Sequence, residues 1–185
     1  MAHVFFPLDS VVSLIATSGA GTSPVEVGVV GREGLVGTSV ALGVDISPVR
    51  MMVQGSGSAM RATLAEFRGG LARNAGLRRG VHRYAHDLTT QVMQIAVCNR
   101  NHTVEQRLSR WLLMMRERVL DNRIVLTQQF LGAMLGVRRA GVNEAAGVLQ
   151  RRRLIRLGRG SMSILDHRGL EDAACACYEI LKLGI

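Results

Sequence analysis

The stretch of residues 126–157 constrains the fold of this chain most strongly, because two short helical patterns follow one another across a glycine. The first pattern spans residues 128–135, and Thr127 precedes it as a side chain suited to an N-cap. Gly136 lies at the junction, where a positive φ is least costly for glycine. The second pattern runs from about residue 138 to 152. Small and apolar side chains would pack the two helices together: Leu131, Leu135, Val137, Val142 and Ala145. The pattern predicts a helix-turn-helix.

The exposed face of the second helix carries side chains that can recognise the edges of base pairs in a DNA major groove: Arg138, Arg139, Asn143 and Glu144. Two short β-like segments follow, joined by a turn that contains Gly158 and Gly160. A hairpin in this position is typical of a wing. Phosphate contacts are predicted for side chains at the start of the first helix and in the wing: Thr127, Gln128, Arg159 and Ser161. An ordinary pair of packed helices is the structural alternative.

The charge of this region favours a polyanionic partner. Residues 121–168 contain nine arginines and three acidic residues, a net charge of +6, within a chain whose net charge is +9. A merely solvated surface usually mixes both signs, whereas a one-signed patch is typical of nucleic-acid binding. Aromatic residues make up only 4% of the chain, which disfavours stacking on single strands or RNA. Double-stranded DNA is therefore the expected partner.

The rest of the chain predicts an α+β protein. Residues 3–62 contain short alternating apolar segments between glycine- and serine-rich turns, which is typical of a small antiparallel roll or barrel. Helical patterns follow from about residue 63, with breaks expected at Gly69-Gly70 and Asp121-Asn122. The expected division is a β-roll sensor-like domain in 1–68, a long helix in 69–103 and a winged helix-turn-helix domain in 104–185.

An apolar seam along the long helix predicts dimerisation. Its members recur at spacings of three and four residues: Val81, Ala85, Leu88, Val92 and Ile95. A stripe this narrow favours pairing with a second copy, and packing against the helix's own domain is the alternative. The next helix, residues 104–120, carries an apolar face that should pack beneath the DNA-binding module: Leu108, Trp111, Leu112 and Met115.

Neither catalysis nor a metal site is expected from the sequence. No serine–histidine–aspartate set, paired-carboxylate site or zinc-protease pattern occurs, and His82 and His86 lack an evident third ligand. The three cysteines are Cys98, Cys175 and Cys177, and the last two would point to different faces of a predicted helix spanning residues 170–183. They are interpreted as structural or free thiols. No signal peptide or membrane-length apolar run is evident, so a cytoplasmic protein is expected.

The order of a β-roll, a long helix and a winged helix resembles the Crp/Fnr family of bacterial transcription regulators. The segments that carry the resemblance are VEVGVVGREGLVG (residues 25–37), AVCNRNHTVEQRLSRWLL (96–113) and LTQQFLGAMLGVRRAGVNEAAGVLQ (126–150). The resemblance implies a cyclic-nucleotide-binding-like jelly roll that is N-terminally short. It places the family's recognition arginine at Arg139, whereas Ala140 stands where a glutamate is usual.

Two departures from the family pattern concern the effector. The resemblance places the cyclic-nucleotide cradle at two short segments, but Thr38 follows Gly37 where a glutamate is usual, with Ser39 next, and Pro48 and Val49 replace the usual arginine and its following serine or threonine. The cysteines that hold an iron–sulfur cluster in one branch are also absent, because no cysteine precedes Cys98. No cofactor is therefore expected, and the effector stays open.

These observations together predict a homodimeric, sequence-specific DNA-binding transcription regulator, with RNA polymerase as a further partner and no membrane association. Two alternatives remain open at this point: a module that binds DNA without sequence preference, and a protein-interaction module with a vestigial sensor. The sequence distinguishes neither activation from repression nor one operator from another.

Overall fold

The computed structural model describes residues 1–17, 19, 24–119, 121–126 and 128–182, and only the backbone of residues 128 and 129. The strands of the first part are β1 (His3–Pro7), β2 (Val11–Ala16), β3 (Val25–Val30), β4 (Arg50–Gly55) and β5 (Ala59–Thr63), with a short helix α1 (Thr38–Ala41) between β3 and β4. β1 pairs with β5, and β2 lies between β3 and β4, all antiparallel. The described strands thus form two sheets of a roll rather than a closed barrel, and the predicted α+β class is confirmed.

The glycine-rich segment after β3 is a tight turn against the helical part of the chain. The N–H of Gly34 donates to the carbonyl of Gly31 at 3.1 Å. A Cβ atom on Gly34 would lie 1.9 Å from the ring of Tyr84, so no side chain fits there. The prediction that these glycines serve as turn residues agrees with this geometry, which seats Tyr84 directly on the turn.

Three helices follow the roll: α2 (Leu64–Arg73), α3 (Ala75–Asn101) and α4 (Val104–Val119). The side chains of Thr63 and Glu66 form a capping box at the start of α2. The predicted break at Gly69-Gly70 is wrong, because α2 continues through both residues. The chain turns instead at Asn74, whose side chain accepts a hydrogen bond from the N–H of Leu77 at 2.9 Å and begins α3.

The C-terminal part contains the predicted helix-turn-helix and wing. Its elements are β6 (Arg123–Val125), α5 (Gln128–Leu135), α6 (Arg139–Arg151), β7 (Ile155–Gly158), β8 (Ser161–Ile164), α7 (His167–Ala173) and α8 (Cys177–Leu181). β8 lies between β6 and β7 in an antiparallel sheet, so the wing has a third strand that the sequence did not predict.

The single last helix predicted over residues 170–183 is wrong. α7 ends at Ala173, Ala174 is extended (φ −75°, ψ 162°), and α8 begins at Cys177. Residue 183 lies outside the described part of the chain. The break changes the directions of the two C-terminal cysteines, because Cys175 lies in the turn and not on a helix.

Helix α4 is the centre of the molecule. Its predicted apolar face is buried, with Leu108, Trp111, Leu112 and Met115 each at most 2% exposed. α4 contacts α6 and α7 on one side and β2 of the roll on another, so it joins both parts of the chain. Across the described residues, no helix combines the length and apolar character needed to cross a membrane.

Candidate DNA interface

Helix α6 has one buried and one exposed face, as the sequence predicts. Val142, Ala145, Ala146 and Leu149 are buried in the main hydrophobic core. The exposed positions recur one helical turn apart and are Arg139, Ala140, Asn143, Glu144, Gln150 and Arg151. The described chain leaves this face uncovered, which is the geometry that a recognition helix requires.

The turn between α5 and α6 holds the recognition helix α6 close to α5. Gly136 adopts a φ of 61°, as expected. The N–H of Val137 donates to the carbonyl of Gly132 at 2.9 Å, and a Cβ atom on Gly132 would lie 3.0 Å from the carbonyl oxygen of Val137. Glycine at position 132 therefore permits the close approach. Arg138 is the extended N-cap, and its exposed side chain makes no capping hydrogen bond.

The wing presents Arg159 but not Ser161. Gly160 adopts a φ of 69° at the tip, where its carbonyl accepts a hydrogen bond from the N–H of Leu126 at 2.9 Å. Arg159 is exposed beside it. Ser161 is only 8% exposed, and its hydroxyl lies beside Gly158, its partner in the pairing of β7 with β8. The predicted phosphate contact through the Ser161 hydroxyl is therefore wrong, because β8 is the central strand of its sheet.

The predicted contacts at the start of α5 are only partly described. Thr127 lies outside the described residues, and of Gln128 only the backbone is described, as the first residue of α5. Both stay predictions, as do the individual DNA contacts of Arg138, Arg139, Asn143, Glu144 and Arg159.

Most of the arginine charge on this surface has no acidic partner among the described residues. Arg152 pairs with Glu105, with Nη1 and Oε1 2.7 Å apart. In the described part of the structure, the exposed Arg138, Arg139 and Arg159 form no ion pair. Their guanidinium groups therefore face solvent, where they could donate hydrogen bonds to a phosphate or a guanine.

The seam predicted for dimerisation faces the chain's own domains. Val81, Ala85 and Ile95 are at most 7% exposed in a single chain, and Leu88 is half-buried against the roll. The seam faces this way because a side chain of α3 forms two hydrogen bonds with the backbone of β3. Gln91 accepts from the N–H of Val29 at 2.6 Å and donates to its carbonyl at 3.2 Å. The assignment of this seam as the dimer surface is therefore corrected, except at Val92, which is 37% exposed.

A cavity of about 320 Å³ lies between the roll and α3. Thr38, Ser39, Pro48 and Val49 line it, which are the positions where the resemblance places the cyclic-nucleotide cradle. The described lining includes no charged side chain, and Arg50 is exposed outside it. The cavity therefore lacks the cation that would neutralise a cyclic phosphate.

A buried carboxyl group links the roll to α4, and nothing in the sequence pattern predicted it. Glu26 of β3 accepts hydrogen bonds from Ser13 Oγ at 2.6 Å and from Trp111 Nε1 at 2.7 Å. Burial raises the pKa of Glu26 from its ordinary value of 4.5 to about 7, although these hydrogen bonds and the charges of Arg110 and Arg118 act in the opposite direction. An alternating strand predicts an outward Glu26, whereas the fold covers it with α4.

Comparisons with known proteins agree with this architecture. Residues 106–173 match the family model of the Crp-like helix-turn-helix domain. Among solved structures, a CRP-family transcriptional regulator from Thermus thermophilus matches with a TM-score of 0.76 and 14% identity, covering 94% of this chain and 88% of that one. FixK2 from Bradyrhizobium japonicum matches with a TM-score of 0.75 and 12% identity, over 95% and 88%. A search of curated protein sequences found no match.

The fold and the uncovered recognition helix define a DNA-binding transcription regulator of the winged helix-turn-helix class. Residues 106–173 form a Crp-like helix-turn-helix domain, and the fold over nearly the whole chain is similar to that of solved Crp/Fnr regulators. The resemblance seen in the sequence agrees with both the matched domain and the fold.

Proposed function

We propose that this protein is a homodimer that recognises a specific two-fold symmetric DNA sequence. The observation that carries the proposal is the uncovered face of α6, where Arg139 and Asn143 project one turn apart with no acidic partner for the arginine in the described chain. Residues 1–68 serve as a sensor-like or vestigial roll, 69–103 as the dimerisation helix and 104–185 as the DNA-binding domain. In a dimer, two such helices enter successive major grooves.

The side chains divide by the part of DNA that they reach. Arg138, Arg139, Asn143 and Glu144 contact base edges, because they occupy the first two turns of the recognition helix. Arg159 at the wing tip contacts phosphate, together with Thr127 and Gln128 at the start of α5. Phosphate contacts position the protein, and the base contacts supply its preference.

DNA fragments recovered with the protein from a genomic pool provide the test. We expect a shared palindromic motif, and tighter binding to that motif than to a scrambled duplex over a salt titration. Equal affinity for both duplexes would identify a non-specific DNA-binding protein. Absence of binding to either would identify the winged helix as a protein-interaction module.

The dimer surface that the single chain leaves available lies on the outer face of α3. Val92, Met93, Ala96 and Val97 are exposed there, within one to two helical turns. Two copies related by a two-fold axis would bury this apolar face along the predicted dimerisation helix. The second copy of the chain is therefore its proposed occupant.

Met93→Glu is expected to convert the dimer to a monomer, because it would bury a carboxylate against its symmetry mate. Light scattering should show the halved mass, and affinity for a palindromic site should fall at least tenfold. Met60→Glu is the matched control, since Met60 and Met93 are both 59% exposed. A native protein that is already monomeric at micromolar concentration would contradict the proposed assembly.

Cyclic AMP and cyclic GMP are expected to show no saturable binding at millimolar concentration, because the cavity beside Thr38 and Val49 offers no charged partner for the phosphate among its described lining residues. Calorimetry measures the binding, and a DNA titration with added nucleotide should give unchanged affinity. A micromolar dissociation constant would show that side chains outside this cavity lining hold the phosphate.

A further inference from the structure

Four potential metal ligands meet where the long helix joins the DNA-binding module. The Sγ atoms of Cys98, Cys175 and Cys177 and a ring nitrogen of His102 all lie within 4.8 Å of one another. Cys98 is in the last turn of α3, and His102 is the C-cap of that helix. Cys175 lies between α7 and α8, and Cys177 is the first residue of α8.

Local structure explains why these side chains converge. Cys98 and His102 are four residues apart, so they lie on the same side of the end of α3. The extended backbone at Ala174 and the turn at Ala176 reverse the chain, which lets Cys175 and Cys177 face the same point. The sequence-based expectation of opposite faces assumed one continuous helix and therefore missed this cluster.

The distances between the four side chains suit one tetrahedral ion. Zinc with sulfur at about 2.3 Å and nitrogen at about 2.0 Å requires sulfur–sulfur separations of roughly 3.8 Å and sulfur–nitrogen separations of roughly 3.5 Å. Cys98 Sγ and Cys175 Sγ lie 3.4 Å apart, and Cys177 Sγ lies 3.5 Å from His102 Nδ1. The three thiols are at most 4% exposed, as in a closed structural site.

The surroundings carry the charge that such a site needs. Arg107 and Arg110 are buried beside the thiols, and neither forms an ion pair within the described residues. Three thiolates, one neutral imidazole and Zn²⁺ have a net charge of about −1, which buried cations would stabilise. Gln94 adds a direct contact, since its Nε2 donates to Cys177 Sγ at 3.0 Å.

We propose that Cys98, His102, Cys175 and Cys177 bind one structural zinc ion that fixes the end of α3 to the turn between α7 and α8. On binding, each of the three thiols releases a proton and its sulfur forms a bond to zinc, while the histidine donates a ring-nitrogen lone pair. Protein ligands occupy all four coordination positions of the ion, so no position is left open for catalysis. It sets the orientation of the DNA-binding module on the long helix.

The test begins with the full chain purified under reducing conditions. We expect about one zinc per chain by elemental analysis, and in chelator-treated protein a cobalt titration that saturates at about one equivalent with thiolate charge-transfer bands and tetrahedral visible absorption. Cys177→Ser and His102→Ala should each weaken zinc binding by at least tenfold. His86→Ala is the matched control on the same helix, because its exposed side chain is remote from the cluster.

The metal titration of the native chain keeps the proposal falsifiable if a variant fails to fold. Fully reduced native protein that binds neither zinc nor cobalt would overturn it. A Cys98–Cys175 disulfide, detected by thiol counting in protein purified without reductant in the presence of excess zinc, would also overturn it. Zinc retained at full affinity in both folded variants would place the metal elsewhere and also overturn the assignment.

Discussion

Glu26→Gln is expected to raise the free energy of unfolding by about 2–3 kcal/mol at pH 8 and to change it little at pH 4. The pKa of Glu26 is about 7 in the folded protein against an ordinary 4.5, because α4 buries the carboxyl group. The folded state therefore holds a proton that the unfolded chain has already released. The stabilisation from that proton is complete below pH 4.5 and is lost as the pH rises through 7.

Urea unfolding at several pH values between 4 and 8 measures this effect. The glutamine variant keeps an oxygen for Trp111 and an amide for Ser13 but has no proton to lose, so its stability should fall less with pH. Glu144→Gln on the exposed face of α6 is the control and should follow the native curve. Parallel curves for native protein and Glu26→Gln would contradict the raised pKa.

Arg139→Ala is expected to cost about 1–3 kcal/mol in affinity for the recovered motif, a loss of roughly fivefold to more than a hundredfold, and to relax the preference at one base pair. Arg139 is the first residue of α6, is exposed and has no acidic partner in the described chain, so its guanidinium can reach both acceptors of one guanine. Affinity measured on the motif and on each single-base variant of it reports both effects.

Arg159→Ala on the wing provides the contrast. A phosphate contact has no base preference, so this variant should weaken motif and scrambled DNA alike and reduce the salt dependence by about one counterion. If Arg139→Ala showed that same uniform loss, Arg139 would be a phosphate contact and the base assignment would fail.

The helix-turn-helix and its wing could be predicted because their determinants are local. Gly136 at the turn, Gly132 at the close approach and the spacing of Val142 and Leu149 act within a few residues of one another. The same holds for α3 and α4, whose apolar spacing defines the buried face whatever that face covers.

What packs on a face could not be predicted, because the partner lies far away in the chain. The seam at Val81 and Ile95 has the spacing of a dimer helix, yet Gln91 holds it on β3. Glu26 looks like an outward strand residue until Trp111 covers it, 85 positions later. Cys98 likewise contacts the distant Cys175 because the chain reverses at Ala174, where no glycine or proline in the sequence indicates a turn.

Helix α4 also limits how this architecture can be rearranged. Trp111 donates to Glu26, and Arg118, whose side chain is 1% exposed, pairs with Glu33 at 2.8 Å. A DNA-binding module exchanged at residue 104 would keep the Trp111 indole N–H without its acceptor Glu26 and the Arg118 guanidinium without Glu33, although Arg118 would retain its contact with the carbonyl of Met114. Each such loss leaves a buried polar group without its partner. A functional exchange between regulators of this kind would therefore require the incoming roll to carry carboxylates at both places.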